Sequence, residues 1–206
     1  MNADTFWNII AVYNGQTWII QLIFMLLIAL SFILTVRNKL QWLPKIILGI
    51  ANMYMGIVFF LYYGTEPVQH YFAAPLFMAA GALFLREGIK YRNDAFTPFN
   101  GIQWVLFIMV LLYPGVSFLL GNSFPRMVVY IMPCPLISFS IVMYSGYKRK
   151  NILLLVLLIL WGLTGIKSFF FNALEDTILL ICGIYCLRLL FSELKKRGKM
   201  TNVITQ

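Results

Sequence analysis

The chain has 206 residues, of which 61% are hydrophobic, 17% aromatic and only 11% charged, where a soluble domain of this size carries about 25% charged residues. Apolar runs of about 20 residues recur along it, each able to cross roughly 30 Å of hydrocarbon, so a water-soluble enzyme is excluded and a multipass membrane protein is expected. The formal charge of +9 would suggest a nucleic-acid partner if it formed one basic face, but the lysines and arginines are divided among short loops.

Residues 1–15 predict an interfacial helix. Asp4 or Thr5 can cap it, Phe6, Trp7, Ile9, Ile10 and Tyr13 supply its apolar face, and Asn14-Gly15 turns it into the first span. The segment is too aromatic, and too poor in basic residues, for a cleaved signal peptide. Seven spans follow at 16–36, 46–63, 71–88, 102–120, 124–145, 151–170 and 174–192, each bounded by charges, Gly, Pro or Asn. Backbone groups find no water inside lipid and the runs are too long for barrel strands, so the spans are helices. The fold class is an all-α integral membrane bundle, one transmembrane domain over 1–206, ending in a polar, basic tail at 193–206 that faces lipid headgroups.

Orientation follows from charge. Arg37, Lys39 and Lys45, then Arg86, Lys90 and Arg92, then Lys148, Arg149 and Lys150, and finally Arg188, Lys195, Lys196, Arg197 and Lys199 all fall on one side, leaving only Arg126 and Lys167 opposite. The positive-inside rule therefore places the C-terminus in the cytoplasm and the N-terminus outside. Trp7, Trp18, Tyr62, Tyr63 and Tyr71 form an outer aromatic belt, and Trp42, Tyr91, Trp104, Tyr144 and Tyr147 an inner one.

A shift of 109 positions aligns Ser31 with Ser140, Lys39 with Lys148, Gly56 with Gly165, Phe60 with Phe169 and Glu66 with Glu175. It maps spans one to three onto five to seven, a three-plus-one-plus-three plan of parallel repeats. Small-solute carriers of that plan place a site between the halves near the midplane, although apolar sequences also match by chance at Leu and Ile.

Pro133-Cys134-Pro135 is the sharpest local feature and falls within the fifth span. Each proline removes an N–H and clashes with the preceding turn, so carbonyls near Val129 to Ile131 lose helical partners and the helix must kink or break. Such breaks at membrane depth are packed in protein or line a wet cavity. Freed carbonyls beside a thiol can hold a soft cation, yet one thiolate does not make a metal site, and a kink with a small packed cysteine is the plainer reading. Cys182 and Cys186 share a face of span seven, either as small core fillers or converging with Cys134. His70 reads as a headgroup-level polar residue.

Glu175 and Asp176 open span seven, where they suit a helix N-terminus, and Lys167 is close enough in sequence to pair with them. Asn14, Gln16, Gln21, Asn52 and Tyr54 add uncharged polar groups inside apolar helices, where interhelical hydrogen bonding is their ordinary role. There is no Gly-rich phosphate loop, His-Glu zinc pattern, nucleophile elbow or mid-span lysine in span seven, so neither an enzyme nor a bound cofactor is expected.

Tyr13-Asn14 with Trp18 and Gln21, Met55-Gly56, Tyr113-Pro114, Leu120-Gly121, Pro125, Pro133-Cys134-Pro135 with Phe139, Trp161, Gly165 and Glu175-Asp176 together resemble a bacterial membrane family, domain of unknown function six-zero-six-four. The resemblance runs in order over most of the chain. Leu136 and Ile137 stand where it would place threonines, and Phe60 where it would place a histidine, so a site here lacks those hydroxyl and imidazole ligands. It implies a bacterial membrane location and carries no activity.

The sequence favours a small-solute or ion permease of the bacterial cytoplasmic membrane. Its site would lie at the Pro133-Cys134-Pro135 break, lined also by Asn14, Gln21, Asn52 and Asp176. Its partners are the bilayer and that solute, with no nucleic acid. The alternative is a non-transporting sensor or accessory subunit with a kinked but dry bundle.

Overall fold

The structure, a computed structural model, describes residues 3–171 and 173–204. Residues 1 and 2 of the expected surface helix, and 205 and 206 of the expected tail, lie outside the described residues. Helices α1 (Ala3–Val36), α2 (Leu43–Tyr54), α3 (Ala74–Lys90), α4 (Gly101–Leu111), α5 (Tyr113–Leu119), α6 (Pro133–Ser145), α7 (Ile152–Gly162), α8 (Ser168–Phe171) and α9 (Thr177–Ile204) follow one another. Among the described residues there is no strand, only an isolated bridge between Phe96 and Tyr147.

Five segments are long and apolar enough to cross a membrane: 4–36, 43–62, 69–90, 152–170 and 174–198. They coincide with five of the seven expected spans. The other two differ. The fourth is broken between α4 and α5, which meet at 50°, because Pro114 in the first turn of α5 lacks an N–H and crowds the turn before it. The fifth, expected as one helix over 124–145, is helical only from Pro133, a length of 13 residues. Residues 121–132 run irregularly, and Gly121 leaves α5 at φ +92°. Proline has no N–H to give and suits the first turn of a helix, so Pro133 and Pro135 start α6 where a mid-span kink was expected.

The surface helix also differs from expectation. α1 is continuous from Ala3 to Val36, with no turn at Asn14-Gly15. α1 and α6, equivalent in the three-plus-one-plus-three plan, have 34 and 13 residues.

α2 opens into a π-helical stretch over Met55–Tyr62, and α3 is entered through another over Gln69–Ala73. Two pairs pack backbone to backbone through glycine. A Cβ on Gly81 would lie 2.8 Å from the Gly49 carbonyl, joining α3 to α2, and one on Gly162 would lie 2.7 Å from the Gly183 Cα, joining α7 to α9. Small residues at such crossings are how helices gain contact in lipid, where burying apolar surface offers no advantage.

One end of the bundle carries the basic loops. Buried Lys45 donates to Asp94 at 2.6 Å and sits 4.1 Å from the Tyr147 ring centroid. Thr97 donates to the Gly146 carbonyl, Lys148 N–H to Ala95 and Tyr147 hydroxyl to Gln41. Asn100 caps α4 and Asn151 caps α7. The loops before α2, before α4 and before α7 are thereby stitched into one layer.

Candidate functional site

The carbonyls released around the proline cluster find their partners on α1. Tyr13 hydroxyl donates to the Ile131 carbonyl at 2.8 Å. The Asn14 amide donates to Pro125 and Met127 carbonyls at 2.8 and 2.9 Å, and its own oxygen accepts from Gln21, which also donates to Thr17. From the other side Ser117 accepts from Val128 N–H, and Tyr130 hydroxyl donates to Leu111 at the α4–α5 bend. Ser138 donates to the Cys134 carbonyl. Buried backbone polar groups must be paired, and here α1 side chains take over what a helical ladder would have done for 125–131.

Held this way, the irregular segment does not collapse onto α7 and the turn that leads into α9. A cavity of about 270 Å³ lies between them, at the end of the bundle away from the basic loops. Pro133, Cys134 and Pro135 line one wall and Asp176 another. The π-helical stretches contribute Phe59, Phe60, Gln69 and Phe72, and the opposite side is Trp161, Thr164, Lys167 and Ser168. At about 1.5 Å per residue Cys134 is about 16 Å along α6 from Ser145, and Trp161 about 14 Å along α7 from Ile152. Trp161 packs edge-on against Phe60 and Phe77, closing the floor.

The polar side chains at the cavity include the acids Glu66 and Asp176, with Gln69, Thr164, Lys167 and Ser168. Tyr113 hydroxyl donates to Asp176 at 3.0 Å, and the Cys134 thiol lies within range of the same carboxyl. Glu175 turns away, accepting from Ser117 at 2.8 Å. The expected pairing of these acids with Lys167 is replaced by hydroxyl donors, while Lys167 lines the same cavity as Asp176. Among the described residues Ser168 Oγ is buried at the cavity without a hydrogen-bond partner, while Trp161 Nε1 has the Cys134 thiol within range. An unpaired buried hydroxyl is costly, and a ligand or water in the cavity is positioned to satisfy it.

Of the residues expected at the site, the structure brings together Pro133, Cys134, Pro135 and Asp176. Asn14 and Gln21 stand behind the wall as its supports. Asn52 is elsewhere, donating to Leu48 and Ser140. Cys182 and Cys186 are buried, and among the described residues no three His, Cys, Asp or Glu side chains group as a metal site. His70 bonds the Gly64 carbonyl in the loop between α2 and α3. Phe59, Gln69, Phe72 and Ser168 were not singled out by the sequence, because no local pattern marks where a helix widens, and Phe60 stood out only as the place of an absent histidine.

The sequence profile of a family of unknown function, DUF6064, matches residues 3–200. The chain belongs to this family. No curated protein and no solved structure matches it. The match takes in α1 with its Tyr13-Asn14 pair, the Pro133-Cys134-Pro135 start of α6 and the Glu175-Asp176 entry to α9, so every part of the cavity described above falls inside the family's extent.

Proposed function

We propose that the chain is a small-solute permease of the bacterial cytoplasmic membrane, acting without chemistry on its solute, with the N-terminus outside and the basic end in the cytoplasm. The observation that carries this reading is the cavity of about 270 Å³ that runs from the non-basic end to Cys134, Trp161 and Asp176. Its walls are largely apolar, with the carboxyl groups of Glu66 and Asp176, a lysine and the buried Ser168 hydroxyl at named positions, a lining that suits a small amphipathic solute. The broken backbone at 121–132 supports it too, since irregular backbone in a membrane protein is packed in protein or lines a cavity, and Val128 and Met132 of this segment line the one described here.

Flux through reconstituted vesicles tests the proposal. Light scattering after osmotic challenge with a panel of neutral, cationic, anionic and zwitterionic small solutes is expected to show faster equilibration than protein-free vesicles for at least one of them. A bulky thiol reagent should abolish that flux, and Cys134→Ser on a Cys182→Ala, Cys186→Ala background should make it insensitive. Equal rates with and without protein across the whole panel would leave the chain as an accessory or sensor module.

A further inference from the structure

At the opposite, basic end a second and open pocket of about 680 Å³ lies between the end of α3 and the loop before α7, lined by Lys90, Tyr91, Arg92, Asp94, Lys148 and Arg149, with Ile89 at its edge. Three cation–ring contacts shape it, and Lys90 Nζ makes the longest, 5.6 Å from the Tyr91 ring centroid. The Arg149 guanidinium lies 3.7 Å from the Tyr91 ring centroid and donates to its hydroxyl, and the Arg92 guanidinium lies 5.0 Å from the Trp42 ring. The carboxylate in the pocket is already used, one Asp94 oxygen by buried Lys45 and the other by Arg149 N–H. Four cationic side chains therefore converge on a rim whose backbone is tied down by the Phe96–Tyr147 bridge and the Lys148–Ala95 hydrogen bond. A stacked guanidinium keeps its N–H edge for an oxyanion and loses little rotamer freedom in binding one.

We infer that this pocket binds the phosphate of an anionic phospholipid headgroup. The choice of a lipid follows from Ile89, which is 63% exposed at the pocket edge. It is the penultimate residue of α3, a helix within a segment apolar enough to span the bilayer, so an acyl chain has an apolar surface to follow from the phosphate inward. The inference is independent of the permease reading, because it concerns the other end of the bundle.

The test uses the full chain in vesicles of phosphatidylcholine doped with labelled phosphatidylglycerol, scoring the lipid retained by native mass spectrometry. Arg92→Gln with Arg149→Gln is expected to weaken retention about tenfold to thirtyfold, from about 1 kcal/mol per basic residue. Arg37→Gln with Lys39→Gln, which removes the same charge from the same end outside the pocket, is expected to weaken it less than about threefold. Lys90→Gln with Lys148→Gln provides a second pocket pair should the first fail to fold. Equal losses in pocket and control pairs would reduce the effect to diffuse attraction and overturn the site. Displacement of the lipid by soluble glycerol phosphate at equal concentration would overturn the lipid assignment in favour of a free phosphate.

Discussion

Asn14 donates from one amide to two carbonyls, those of Pro125 and Met127, and receives Gln21 on its oxygen, while its neighbour Tyr13 serves Ile131. Asn14→Ala strands both carbonyls, and we expect a loss of about 1–3 kcal/mol in denaturant unfolding in detergent, with Tyr13→Phe costing about 1 kcal/mol. Lys45 behaves differently, because its charge is fully buried against Asp94. Lys45→Ala should cost about 3–5 kcal/mol by leaving a buried carboxylate alone, and Lys45→Met with Asp94→Asn should recover most of it. Lys150, in the loop before α7, has its pKa lowered from the usual lysine value, chiefly by burial. Between that lowered value and the ordinary one the unfolded chain binds the extra proton, so stability rises with pH across the window. Wild type should therefore gain on Lys150→Gln as pH climbs toward 10.5, in unfolding titrations of the two proteins at matched pH. At this scale the sequence was informative about polar residues in apolar runs: Asn14, Gln21 and Asn52 stood out. Which of them line a cavity and which support its wall depends on residues more than a hundred positions away, such as Pro125 and Ile131, and no local pattern carries that.

Among the helices, those with charged or glycine-marked ends were legible and those broken by turn chemistry were not. The spans at 43–62, 69–90, 152–170 and 174–198 appear where hydropathy placed them. Residues 121–132 were misplaced because apolar content alone reads them as membrane-spanning, yet Gly121 at φ +92° turns the chain away from α5, Pro125 has no N–H to give, and Pro133 and Pro135 favour a helix start at 133. The π-helical stretch at Met55–Tyr62 leaves no mark, since a period change inside MGIVFFLY has no polar residue to reveal it. Glycine provides two element-scale tests. Gly183→Ala forces a methyl against Gly162 and should destabilise the α7–α9 pair by about 1–3 kcal/mol. Gly15→Ala meets nothing within 4 Å in the middle of continuous α1, and should stabilise by about 0.5–1 kcal/mol. A destabilised Gly15→Ala protein in the same thermal scan would mean that the chain turns there, as the sequence suggested.

In the whole molecule two ends are built for different work. At the basic end, short loops are cross-linked by Lys45–Asp94, Tyr147–Gln41 and Thr97–Gly146 into a closed layer. At the other end, α1 holds an irregular segment aside, and a cavity descends to the proline-flanked cysteine. Charge distribution made the first end legible. The cavity was legible only through Pro133-Cys134-Pro135 and Asp176, since its largely apolar walls come from helices that meet only in three dimensions. The most direct measurement is the labelling rate of Cys134 by a small, membrane-impermeant thiol reagent added to the outside of intact cells, with Cys182 and Cys186 replaced by Ala. An open path from that end predicts labelling at Cys134, slowed when Ala73 or Ser168 at the cavity wall is replaced by a bulkier residue. A Cys134 that stays unmodified from outside, yet reacts once the protein is denatured, would contradict it.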